Sequence, residues 1–222
     1  MPSRPGPEPS TDGSRDRLYL WLAGLFVAAL LTADLIAGRF LRIAGRDIGA
    51  GMLAFPLTFV ITDITNEFFG PRATRRLTYL GLGAAVFSFA IINVALALPV
   101  SPETPLSDGA FRETFGWSAR AYVASLSAYT LGQLLDIAIF SGLRRLTKER
   151  LLWLRATGST ILSQGVDTLV VTWVLLGGTK STGFILGVAR DSYALKVLIA
   201  IALTPVIYGS HALVARAFAR RA

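Results

Sequence analysis

Three polar stripes run through an otherwise apolar sequence. Phe59, Asp63, Asn66, Glu67 and Gly70 fall at i, i+4, i+7, i+8 and i+11, one face of a helix. Tyr129, Gln133, Asp136 and Phe140 repeat the pattern at i, i+4, i+7 and i+11, and Thr160, Gln164 and Asp167 at i, i+4 and i+7. Two stretches therefore each present Gln-x-x-Asp. Carboxylates and amides beside aromatic rings offer acceptors, a few donors and flat apolar faces, with almost no fixed positive charge. Such a set suits a planar, neutral or cationic ligand bearing N–H groups and repels an anion. The amidine edge of a guanine-like ring gives two adjacent N–H donors to a carboxylate, its carbonyl accepts from an amide, and its face stacks on an aromatic ring.

Catalytic chemistry fits less well. The chain has no Cys and one His, His211, near the end of an apolar run, so thiol catalysis, Ser-His-Asp constellations and His-rich or Cys-rich metal sites are not expected. No phosphate-cradling glycine loop is present, so no nucleotide hydrolysis is expected within the chain. The reading is of a non-enzyme with no catalytic residues, metal or cofactor.

The elements that position the stripes are membrane-length. Of 222 residues, 53% are hydrophobic and 16% charged, against roughly 25% charged in soluble domains; mean hydropathy is +0.55. Six apolar stretches lie near residues 18–38, 48–69, 77–99, 121–143, 158–178 and 194–215. Each has roughly 20 residues, enough at about 1.5 Å per residue to cross a hydrocarbon core of ~30 Å. The expected fold is an all-α integral membrane protein of six transmembrane helices in a lipid bilayer, spanning residues 18–217. A short interfacial helix is expected between the third and fourth, within Ser101 to Arg120. Residues 1–17 read as a disordered tail rich in Pro, Gly, Ser and charge, and 218–222 as a basic C-terminal tail.

The net charge of +8 belongs to the flanks of the spans, with no basic stripe interleaved with aromatics, so nucleic acid is not an expected partner. Loop Lys and Arg number 14 on the side of the termini and 7 on the other, placing both termini in the cytoplasm. Lys196 alone lies inside a span.

Five carboxylates, Asp34, Asp63, Glu67, Asp136 and Asp167, fall within spans, where an Asp at the helix centre costs about 2.5–3.5 kcal/mol. Asp63, Asp136 and Gln164 each lie roughly 10 Å deep, in one layer from three helices. Glu67 has a plainer reading as a partner of Arg72, Arg75 or Arg76, and Asp34 as a partner of Arg39. Pro56 removes a backbone hydrogen bond, clashes with the Met52 carbonyl, and is expected to kink or open the second span. Pro205 reads the same way, with Thr204 able to satisfy a freed carbonyl. Ala29, Ala33 and Ala37 form small-x-x-x-small pairs in the first span, suited to close packing or to docking a partner helix.

In order and spacing the chain resembles the queuosine precursor transporter family, over most of Leu18 to Ala215. The resemblance is carried by Phe55-Pro56-Leu57-Thr58, Thr62-Asp63, Glu67 and Gly70; then Gly132-Gln133 with Asp136 and Phe140; then Ser159-Thr160, Gln164 and Asp167-Thr168; then Lys196, Thr204-Pro205 and Tyr208. Where that family commonly has Asn late in the first span this chain has Asp34, and Val171 stands where Phe is frequent. The resemblance implies a bacterial inner-membrane importer of 7-deazaguanines, 7-cyano-7-deazaguanine or its aminomethyl relative, working by alternating access. The substrate would bind between spans two, four and five. Glu67 or Asp63 would take the guanine-like edge, Gln133 and Gln164 would orient the ring, and Asp136 or Asp167 would receive the 7-substituent. Asn66 and Thr160 join the same site. Phe59, Tyr129 and Phe140 are the stacking candidates, and Asp34, Lys196 and Pro56 the candidates for coupling or gating. A homo-oligomer is compatible with this reading. The competing readings are the substrate-binding subunit of an ATP-driven vitamin importer and an intramembrane enzyme using paired carboxylates.

Overall fold

The computed structural model describes residues 11–36, 39–43, 46–116, 119–148 and 150–219. In chain order it contains α1 (Thr11–Ile36), an antiparallel hairpin of β1 (Phe40–Ile43) and β2 (Arg46–Gly49), a 3-10 turn (Ala50–Leu53), α2 (Phe55–Ala97), α3 (Asp108–Phe115), α4 (Ala119–Leu146), α5 (Leu152–Leu176) and α6 (Thr182–Ala219). Five of its helical stretches are long and apolar enough to cross a membrane. Of the expected tails, residues 1–10 and 220–222 lie outside the described residues, and α1 already begins at Thr11.

The hairpin pairs Phe40 with Gly49 and Ile43 with Arg46, where the second span was expected to begin. Arg42, Arg46 and Asp47 make that segment too polar for the start of a span, and the apolar run opens only at Ala50. Pro56 does not kink a span. It occupies the first turn of α2, with Ala54 as N-cap, where its missing N–H has no intrahelical partner to lose.

The break in α2 comes one span-length later. Gly70 has φ 80° and ψ 174°, a region open essentially to glycine alone, and Pro71 follows it. An unbroken helix of 43 residues would be about 65 Å long, twice a hydrocarbon core. Gly70-Pro71 divides it into residues 55–69 and 71–97. Pro71 lacks the N–H that would bond the Glu67 carbonyl; Arg144 of α4 supplies the donor instead, its Nη1 lying 2.9 Å from that oxygen. In α6 the Thr204 hydroxyl reaches the Ala200 carbonyl at 3.4 Å, one residue before the carbonyl that Pro205 leaves free.

The short helix expected in the connector is α3. Ser107 caps it by accepting from the Ala110 N–H at 3.2 Å, and Arg112 ties it to the end of α2 through the Leu96 carbonyl at 2.9 Å.

α4 lies against α5, α5 against α6, and α2 against α1, α4 and α6. Phe26 and Leu30 of α1, Ile61 and Leu77 of α2, and Phe140 of α4 form the centre of the apolar core. Ala29 and Ala33 are buried within the chain, so this part of the small-residue face of α1 closes on its own neighbours; Ala37 lies outside the described residues. Trp21, Phe87, Leu198 and Leu213 are exposed, as a lipid-facing surface requires. Threonine is frequent in the buried part of α2, and its hydroxyls turn back on their own helix. Thr58, Thr62 and Thr65 donate to the Phe55, Phe59 and Ile61 carbonyls at 2.6, 3.0 and 2.7 Å. They are therefore already satisfied, unlike the amides and carboxylates beside them.

Candidate functional site

The polar stripes converge. Asp63 and Asn66 of α2, Gln133 and Asp136 of α4, and Thr160, Gln164 and Asp167 of α5 are all buried, none more than 6% exposed. The Asp63 carboxyl lies within electrostatic range of Asp136 and Glu67. Asp136 Oδ1 accepts from the Ser163 hydroxyl at 3.1 Å across the α4–α5 contact.

Burying a polar group without a partner costs free energy, so unpaired atoms mark where something else belongs. Both carboxylate oxygens of Asp63, Nδ2 of Asn66, Oε1 of Gln133, Oε1 of Gln164 and Oγ1 of Thr168 are buried with no hydrogen-bond partner among the described residues. Four of these six are pure acceptors, one is a donor and one is a hydroxyl.

The layer is divided between cavities, and two side chains partition it. Asp63, Gln164, Thr160, Phe59 and Pro56 line a cavity closed down to about 20 Å³, room for about one water. Asp34, Tyr129 and Asp167 line a second of about 140 Å³. Phe55 and Lys196 line both, the Lys196 ammonium 6.0 Å from the centroid of the Phe55 ring. Phe55 is held edge-on by Phe59, ring centroids 5.2 Å apart. The second cavity shares Asp34, Ala85, Ser125 and Leu126 with a third, of about 30 Å³, that is walled by Thr114 and Phe115 of α3. Three cavities thus run in series from α3 to Asp63.

Two cations enter the polar layer, against the expectation of almost no fixed positive charge. Lys196 of α6 pairs with Asp167. Arg155 of α5, assigned from sequence to a loop, is 3% exposed and grips Glu67 with both ends of its guanidinium, Nη2 to Oε1 at 2.6 Å and Nε to Oε2 at 3.0 Å. Among the described residues Glu67 makes no ion pair with Arg72, Arg75 or Arg76; His211 lies 3.7 Å from its Oε1. The reason is the break at Gly70, which ends the helix so that Glu67 points into the bundle. Asp34 likewise makes no ion pair with Arg39 among the described residues and faces the cavities.

Gly132 lets α4 and α5 meet closely: a Cβ there would lie 3.1 Å from Cβ of Asp167. Tyr129 lines the middle cavity while its hydroxyl donates to the Thr78 carbonyl at 3.0 Å. Phe140 is fully buried in the apolar core and lines none of the described cavities. Asn66 lies at a separate, open cavity beyond the layer.

Sequence reasoning missed Arg155, Phe55 and the Asp167 partner of Lys196. Arg155, Ser159 and Ser163 stand at i, i+4 and i+8, a polar face continuing into the apolar run, and that signal was readable. Gly70-Pro71 is likewise the strongest breaker dipeptide in the region.

The family model described as "Putative vitamin uptake transporter" matches residues 49–209. A Bacillus subtilis protein named "Probable queuosine precursor transporter" is 29% identical over 195 residues, covering 87% of this chain and 82% of the relative. The "Queuosine precursor transporter" of Escherichia coli K12 is 26% identical over 198 residues, 88% of this chain and 86% of that one. A Haemophilus influenzae protein, "Probable queuosine precursor transporter", is 28% identical over 120 residues, 54% of this chain and 48% of its own length. No solved structure matches the chain.

Proposed function

The chain belongs to this vitamin uptake transporter family, and on that premise we propose that it imports queuosine precursors, 7-cyano-7-deazaguanine or its aminomethyl relative, by alternating access through the polar layer. It is a multi-pass membrane protein, and in this reading α2 crosses twice, on either side of Gly70. With α1, α4, α5 and α6 that makes six crossings, with α3 at the interface and both termini in the cytoplasm.

The observation that carries the reading is the set of unpartnered buried atoms. Within the layer these are the four acceptor oxygens of Asp63, Gln133 and Gln164 and the Thr168 hydroxyl, which suits a ring with an N–H-rich edge. Asp63 is the better partner for the adjacent ring N–H and exocyclic amine, since Glu67 is already held at both oxygens by Arg155. Gln164 and Gln133 orient the ring, and Phe59 or Phe55 stacks on it. Asp136, held by Ser163, completes the network. The cavity beside Asp63, about 20 Å³, is too small for a bicyclic base, so access requires Phe55 and Lys196 to move apart and join it to the middle cavity. Asp34 and Asp167 line that approach.

Asp63→Asn tests the assignment. Losing a charge-assisted pair of hydrogen bonds removes about 1.5–3 kcal/mol, roughly a 10- to 100-fold loss of affinity. The expected result is folded protein whose Tm no longer rises with 7-cyano-7-deazaguanine, and cells that no longer take it up. Full uptake by the variant would remove Asp63 from the site.

A further inference from the structure

A fourth cavity, separate from the series of three described above, opens where the first half of α2 meets the end of α4. It measures about 350 Å³ and is lined by Asn66, Pro71, Ser141, Arg144, Arg145 and Lys148. Three of the six are cations and none is a carboxylate. At its inner end Asn66 is 2% exposed. Its Oδ1 faces the Ser141 hydroxyl at 3.5 Å, and its Nδ2 has no partner among the described residues.

The chain builds this geometry through the helix break. Pro71 leaves the Glu67 carbonyl without an amide, Arg144 comes in to donate to it, and the guanidinium is thereby fixed at the cavity wall. α4 then ends, and Lys148 adopts φ 47°, a left-handed conformation uncommon for a side-chain-bearing residue. Arg145 and Lys148 form no ion pair with any described residue. Cations near a helix C-terminus also complement its dipole, but that role asks for no buried amide donor at the bottom of a cavity.

We propose that this cavity binds a phosphate group, with the Asn66 amide as the buried donor and Arg145, Lys148 and Arg144 supplying charge. A tetrahedral anion offers the several acceptor oxygens that this donor set lacks. The end of the bundle also carries Arg72, Arg75 and Arg76, which makes it the side expected to face anionic headgroups. The phosphate therefore belongs either to a phospholipid or to a soluble molecule. The site does not depend on what the transport layer carries.

Thermal unfolding of the full chain in a neutral detergent separates these sources. One arm titrates inorganic phosphate against chloride at matched ionic strength; the other adds phosphatidylglycerol or phosphatidylcholine. A saturable rise in Tm is expected, by mass action. A response to inorganic phosphate identifies a soluble source, and a response to phosphatidylglycerol alone identifies a lipid. The double variant R145Q/K148Q should raise the half-saturating concentration at least fivefold. R72Q/R75Q, which removes equal charge from exposed positions outside the cavity, should leave it unchanged. K148Q alone serves if the double variant does not fold, Lys148 being exposed and beyond the helix end. The proposal is overturned if neither phosphate nor phosphatidylglycerol raises Tm. An equal loss in R72Q/R75Q would also overturn it, since diffuse surface charge would then account for binding.

Discussion

Among the described residues, two ion pairs inside the bundle use different cations for different ends. Glu67–Arg155 joins α2 to α5 by a planar fork on a carboxylate, with side chains 10% and 3% exposed. Asp167–Lys196 joins α5 to α6 through a single ammonium, 8% and 16% exposed, and both residues border a cavity. A guanidinium holding two oxygens fixes direction as well as distance, whereas an ammonium on a flexible stem swings without losing its charge. The first pair thus reads as a fastening and the second as a movable partition, and the sequence separates them by cation type alone.

Removing one member of each pair puts that distinction at risk. Glu67→Ala removes the carboxylate that Arg155 grips through Nη2 and Nε inside the bundle, and breaking such a pair costs about 3–5 kcal/mol. A large drop in Tm is expected in detergent, partly recovered when Arg155 is also replaced by a neutral residue. Should Glu67→Ala unfold at the wild-type temperature, the fastening is no fastening. Lys196→Gln strands a carboxylate that borders a cavity of about 140 Å³, where water can reach it. Its cost is therefore smaller, about 1.5–3 kcal/mol, while uptake falls by a larger factor than stability explains. Equal stability losses in the two variants would erase the contrast.

The layer was legible because Asp63, Gln133, Asp136, Gln164 and Asp167 follow helical period, and period survives any arrangement of the helices. The pairing was not. Glu67 and Arg155 are 88 residues apart, and a basic residue near a predicted span end reads equally well as a solvated flank. Lys196 announced the need for a carboxylate in lipid but offered no choice among Asp34, Asp136 and Asp167. Pro56 was misplaced because its effect depends on position: within a helix it breaks the ladder, while in the first turn it fits. Where α2 begins is decided by the hairpin at 40–49, whose short alternating strands carry too weak a pattern to stand out beside six apolar runs.

Gly70→Ala tests how far the fastening depends on the break beside it. With φ 80° and ψ 174°, a Cβ costs about 1–3 kcal/mol, less than the about 3–5 kcal/mol held in the buried pair, so the chain bears the strain and keeps the contact. A lowered Tm is expected, and Glu67→Ala adds its own loss on top of it. A double variant no less stable than Gly70→Ala alone would show that the break and the fastening release together.

The smallest change addresses the partition alone. Gly132→Ala places a methyl group 3.1 Å from Cβ of Asp167, a contact that needs a shift of a few tenths of an ångström. Overpacking on this scale costs roughly 1 kcal/mol, so Tm should fall only slightly. Asp167 is the atom group that must give, and it gives toward Lys196, on the side where the two cavities meet. Transport should therefore suffer more than folding, while the Glu67–Arg155 end is untouched. If uptake keeps its wild-type rate with Asp167 displaced, the ammonium follows its carboxylate freely and Phe55 is the element that closes the passage.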